Sequence, residues 1–273
     1  MTRPVPGDKL RLGGMALRNG LLVHGPTHWA AAVRTKDGSI RVASGRKPDF
    51  GARATERVPG VRGVTKLAEA FAVIPLVKRA LPQAQLPMQD LRTLGAMAAA
   101  AAGGRALRGA PGATRTIGRE AAVGLVSLLP ALAALRSGDL ASYHGVEHKA
   151  IAAYEASGDA ADAAKEHDRC GSNLVAPMLA STAIGSVALR RAGLRGPAAE
   201  GVVALGSMAV AVEVFAWSER NADTVLARLL RRPGHEIQRA VGTREPTGEQ
   251  LEVGRAALDE ILRVEGAAPQ LTR

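Results

Sequence analysis

Apolar and polar positions divide this chain into stretches of different period. Across residues 12–44 the pattern is of the β type: His28-Trp29-Ala30-Ala31-Ala32-Val33-Arg34, then Lys36-Asp37-Gly38, then Ser39-Ile40-Arg41-Val42-Ala43 predict a hairpin, with Asp37-Gly38 suited to a type I′ turn. Gly13-Gly14 and Gly20 punctuate the approach to it. After Val58-Pro59-Gly60 the period becomes helical. Val61, Val64, Leu67, Ala68, Phe71 and Ile74 fall on one stripe with Arg62, Lys66 and Glu69 off it, and Pro75 and Pro82 are expected to kink or end the helix. From residue 94 onward charge-free apolar runs appear, at 94–104, 121–135, 171–189 and 201–218, the last broken only by Glu213. A bilayer span needs about 20 mostly apolar residues, so only the third run approaches that length alone. Past Arg220 the chain is polar again; Thr247-Gly248-Glu249-Gln250 fits a capping box, and Leu251, Leu258, Ile261 and Leu262 make a short stripe on a terminal helix.

These periods predict a mainly α fold: a multi-span helical membrane bundle with a small N-terminal β-hairpin module. Buried helices of a soluble bundle are the alternative source of such runs. Three parts are expected: a basic N-terminal module over residues 1–93, a membrane-embedded region over 94–219 containing the loop 136–170, and a polar helical tail over 220–273. Four spans would place the 136–170 loop in the cytosol beside the N-terminal module. That topology leaves Arg105, Arg108, Arg115, Arg119, Arg190, Arg191 and Arg195 in outer loops, against the positive-inside tendency. If the weak first run does not span, the loop moves outside.

Composition sharpens this picture at three points. Hydrophobic residues make up 47% of the chain but aromatics only 3%, so with 31 glycines the helices must pack closely through small side chains. A single cysteine excludes an internal disulfide, and the polar start of the chain lacks an apolar signal core. The net charge of +11 is uneven. Residues 1–92 hold 16 Lys and Arg against 6 Asp and Glu, whereas residues 136–170 hold 4 against 7. Dispersed basic residues without aromatic neighbours or a recognition motif argue against nucleic acid and for anionic membrane lipids as the partner of the basic half.

The chemistry concentrates in the acidic segment. Tyr143-His144-Gly145-Val146-Glu147-His148-Lys149 carries two of the six histidines. On a helix, positions i, i+3 and i+4 share one face, so His144, Glu147 and His148 project together. The order H-x-x-E-H is that of the inverted zinc-peptidase helix, where the imidazoles bind the metal and the glutamate deprotonates the attacking water. A solvated polar helix face would carry the same residues.

Four residues are candidates for a third ligand. Glu155 lies two turns beyond His148; His167 and Cys170 follow in His167-Asp168-Arg169-Cys170-Gly171; Glu213 is a lone carboxylate in an apolar run. Cys170 could equally be a small core residue, and Glu213 a protonated or Arg-paired structural group. His24 and His28, beside the hairpin, read as structural.

The motif around His144, the later Arg169-Cys170-Gly171, the opening Gly13-Gly14 and Thr243-Arg244-Glu245-Pro246 together resemble the YqhQ-like family of bacterial membrane proteins, often labelled metal-dependent enzymes. The likeness follows the same order along almost the whole chain. It implies a multi-pass protein of the bacterial inner membrane, and its histidine motif carries over onto His144, Glu147, His148 and Lys149. Met15, Asn19 and His24 stand where the family usually has Gln, Glu and Arg.

The expected function is a metal-dependent hydrolase. His144 and His148 hold a divalent metal, zinc first, with a third ligand from Glu155, His167, Cys170 or Glu213. Glu147 acts as general base, and Lys149 or Arg169 stabilises the developing oxyanion. A peptide bond in or near the membrane is the first substrate to consider, a lipid ester or amide the second. The alternative is a non-enzymatic membrane protein with a structural or regulatory metal site, or a metal transporter.

Overall fold

The computed structural model describes residues 9–51, 58, 60–109 and 116–267; Pro59 and Arg115, named above, lie outside them, as does the side chain of Arg62. The chain begins with four strands, β1 (Gly13–Leu17), β2 (Gly20–His24), β3 (His28–Arg34) and β4 (Ile40–Arg46), paired in sequence order as an antiparallel meander. The expected hairpin is therefore β3–β4 of a larger sheet. Its turn also differs from expectation. Five residues separate Arg34 from Ile40, and Gly38 alone among them has positive φ, whereas a type I′ turn needs it at both central positions.

Both sheet faces are covered, which is why β2 and β3 read as almost unbroken apolar runs. Leu21, Val23, Ala30 and Ala32 point into one core; Leu22, Trp29, Ala31 and Val33 point into another. The second core is closed by α1 (Val61–Ala80) through Val73 and Val77. This helix buries a different side from the predicted stripe, leaving Phe71 57% exposed, because the sheet sits over Val73 and Val77. Nor does Pro75 end it: α1 runs through Pro75, whose ring is exposed, and stops just before Pro82.

The first core is closed by α5 (Leu140–Ala156) and α9 (Gly248–Glu265), through Tyr143, Val146, Ile151, Val253, Ala257 and Ile261. The capping box of Thr247 and Gln250 is formed. One core thus draws on the N-terminal strands, the His-bearing stretch and the terminal helix.

Between these elements run α2 (Leu91–Arg108), α3 (Ile117–Val126), α4 (Leu129–Leu135), α6 (Val175–Arg191) and α7 (Pro197–Arg220), followed by α8 (Val225–Ile237). Among the described residues three helical stretches are long and apolar enough to cross a membrane: Ile117–Leu135, Gly171–Arg191 and Pro197–Arg220. The run at 94–104 sits in α2, where Arg92, Arg105 and Arg108 keep it out of that set. A water-soluble bundle would bury such faces, yet Leu125, Val202 and Leu205 are each more than 60% exposed. Membrane association accounts for that surface.

Candidate metal centre

α5 is buried on nearly every side, so its polar residues need partners within the protein. The imidazole of His144 meets the carbonyl of Gly242 at 2.8 Å through Nδ1, and that of His148 meets the carbonyl of Lys165 at 2.6 Å, also through Nδ1. A carbonyl can only accept. Both Nδ1 atoms therefore carry the proton, and both Nε2 lone pairs are left to face the site. Nε2 of His148 is buried without a hydrogen-bond partner among the described residues.

Cys170 supplies the third donor. Its Sγ lies 3.3 Å from Nε2 of His144, and one donor atom from each of His144, His148 and Cys170 lies within 4.8 Å of the others. Two imidazole nitrogens and one thiol, with an orphaned buried nitrogen among them, form a donor set suited to a transition metal of the zinc type. Fixing each ligand imidazole through its second nitrogen is the usual outer support of a metal site.

The supports come from distant sequence. Gly242 ends a π-helical turn over Gln238–Gly242, closed by the Thr243 amide donating to the Gln238 carbonyl at 2.9 Å. Gln238 is fully buried and clamps the Cys170 loop. Its Oε1 accepts from the His167 amide at 2.8 Å, and its Nε2 donates to the His167 carbonyl at 3.2 Å and to Ser172 Oγ at 2.9 Å. On the other side Asn173 donates to the Asp168 carbonyl at 2.6 Å.

Glu147 lies on the same face of α5 and lines a cavity of about 430 Å³ with His144, His148 and Cys170. Burial pushes its carboxyl up to about 7, against an opposing pull from His144. Its place depends on Gly14: a Cβ there would stand 2.6 Å from Glu147 Cγ and 2.7 Å from Oε1. Gly145 has a similar reason. A Cβ on it would collide with the carbonyl oxygen of Arg244, whose amide donates to the Ala141 carbonyl at 2.9 Å. A glycine inside a helix costs about 1 kcal/mol against alanine, so its presence within the motif was a signal of close packing that pattern reading passed over.

The remaining candidates are placed elsewhere or hold other roles. Glu155 is bound by Arg169 and has His167 Nε2 3.6 Å from its Oε2, so it is engaged in an ionic cluster outside the donor set. His167 lines the cavity with its ring centroid 5.7 Å from that of His148; burial lowers its pKa, with Asp168 and Glu219 opposing. Glu213, on α7, accepts from the Gly60 amide at 2.9 Å, which ties it to the start of α1 and away from α5. Lys149 is buried with its Nζ 2.7 Å from Glu245 and 2.9 Å from the Ala161 carbonyl, and it does not line the cavity. Arg169 does line it. Among the residues where the chain departs from the family pattern, Asn19 fastens a turn through the carbonyls of Arg34 and Gln83, and His24, half-buried at the end of β2, has both ring nitrogens buried.

Residues 122–264, just over half of the chain, match the family described as protein of unknown function, DUF1385. The chain belongs to that family. The DUF1385 match runs from α3 through α9 and so contains His144, Glu147, His148 and Cys170, while Gly14 and the sheet precede it. It agrees with the YqhQ-like resemblance carried by the motifs. No curated protein and no solved structure matches the chain.

Proposed function

We propose that this DUF1385 member is a metal-dependent hydrolase of the bacterial inner membrane. The observation that carries the reading is the convergence of one donor atom each from His144, His148 and Cys170 beside Glu147 on one open cavity. A bound divalent ion, zinc by this donor set, would supply Lewis acidity toward a substrate carbonyl and make water more acidic. Glu147 takes the proton from the attacking water and returns it to the leaving group. Arg169, which lines the cavity while its guanidinium is held by Glu155, is a cation for the developing oxyanion. Three protein donors next to open space favour a catalytic over a closed structural site, which would take four.

The packing supports a multi-pass arrangement with the site at one end of the bundle. Leu135 and Gly171, the ends of two apolar stretches, both line the cavity. The sheet and α5 share a core and must lie on one side of the membrane. With Ile117–Leu135 as one crossing between them, α2 is the candidate for the return, a less apolar helix than the other three because of Arg92, Arg105 and Arg108. Its 18 residues span about 27 Å, close to the hydrocarbon thickness, with Arg105 and Arg108 in its last turn placed to snorkel.

Metal analysis of the purified full chain, with His144→Ala and Glu147→Gln beside it, tests the reading. One equivalent of zinc is expected in the wild type, loss in His144→Ala, and retention without peptide-library turnover in Glu147→Gln. No stoichiometric metal in the wild type would sink the proposal.

A further inference from the structure

Among the described residues no strand pairs with the outer side of β1, the edge that lines the site. Hydrogen bonding in the meander can be followed residue by residue. The Gly25 amide donates to the His28 carbonyl and the Arg34 amide to the Asn19 carbonyl, so the odd-numbered residues of β2 bond to β3. The even-numbered ones, Gly20, Leu22 and His24, are left to bond Leu17, Met15 and Gly13 of β1. It follows that Leu12, Gly14, Ala16 and Arg18 turn their amides and carbonyls away from the sheet. Arg18 is taken, since its amide donates to the Gln85 carbonyl at 2.9 Å. No backbone bond to the outward groups of Leu12, Gly14 or Ala16 is found among the described residues.

The same five residues, Leu12 to Ala16, form one wall of the cavity that holds His144, His148 and Cys170. The open residue Gly14 is also the one pressed against the Glu147 carboxylate. An unpaired edge is ordinarily guarded by charge, proline or a covering element. Here Pro87 and Arg169 share the cavity lining and the Gln85 carbonyl covers only the Arg18 end, while the cavity beside Gly14 has apolar sides from Leu135, Leu140 and Ile151.

We propose that β1 receives the substrate as an extended peptide, added as a fifth strand through the amide and carbonyl of Gly14, with its scissile bond carried toward Glu147. The inference rests on the hydrolase reading and narrows its substrate to a peptide, since a lipid acyl chain has no amide or carbonyl ladder with which to answer the edge. Main-chain bonds supply affinity in this mode, while alternate side chains select; the apolar walls favour an apolar residue beside the cleaved bond.

The test is ligand binding to the zinc-loaded full chain in nanodiscs, with EDTA-treated protein as background. Three probes share one chelating group: acetyl-Leu-Leu-Leu hydroxamate, the same peptide N-methylated at one amide at a time, and octanoyl hydroxamate. The tripeptide is expected to bind at least tenfold tighter than the octanoyl compound. Methylation should cost about tenfold at one amide and little at its neighbour, because alternate amides face the edge. Hydrogen exchange at residues 12–16 should slow with the tripeptide and not with octanoyl hydroxamate. If both chelators bind alike and residues 12–16 gain no protection, the strand-addition proposal fails with the metal site intact. If neither probe binds above the EDTA-treated background, the metal reading fails and takes this inference with it.

Discussion

The carbonyl of Gly242 and the imidazole of His144, 98 residues apart in sequence, meet at 2.8 Å, and this contact fixes which nitrogen of His144 faces the site. It survives only while the segment after the π-helical turn lies flat on α5, which Gly145 permits. Gly145→Ala should push the Arg244 carbonyl away and loosen the Gly242 contact with it. Zinc affinity is expected to fall about 10- to 100-fold, with a stability loss of ~1–3 kcal/mol. Zinc titration and thermal unfolding read the two effects; unchanged affinity would show that the Gly242 carbonyl does not orient His144.

Lys149 belongs to the motif in sequence and to the scaffold in space. Lys149→Met keeps the buried stem but leaves the Ala161 carbonyl without its donor and Glu245 without its cation. A destabilisation of about 1–3 kcal/mol is expected, with zinc content unchanged. Loss of turnover at full stability would instead return Lys149 to the chemistry.

His24 is expected to make the fold acid-sensitive. Both its ring nitrogens are buried without partners among the described residues, and burial, reinforced by Lys47, lowers its pKa from 6.5 to about 4. A folded-state pKa below the unfolded one means that stability is complete above pH 6.5 and is lost as pH falls toward 4. The loss from this residue is about 2 kcal/mol at pH 5. Thermal unfolding of His24→Leu should therefore show a shallower decline between pH 7.5 and pH 5 than the wild type; parallel declines would place the acid sensitivity elsewhere.

Local rules made some features legible in advance. The i, i+4 spacing of His144 and His148 put both imidazoles on one face of α5, and the capping box at Thr247 began α9 where it was read. The side of α1 that is buried was not legible, because that helix is apolar on more than one side and only the sheet above Val73 and Val77 chooses between them.

The ligand set shows the same division. By itself the sequence determined a histidine pair with a glutamate between them, the apolar helices around them and a short list of third donors, since each follows from residue type and local period. Only the tertiary structure separates those candidates in space: Gln238 and Asn173 fold the loop so that Cys170 meets His144, while Arg169 engages Glu155 and the start of α1 holds Glu213. Apart from the local Asn173 bond, these contacts join residues 14 to 153 positions apart, which no local period encodes. The pairing of Gly14 with Glu147 is of that kind, a strand and a helix brought together by a shared core.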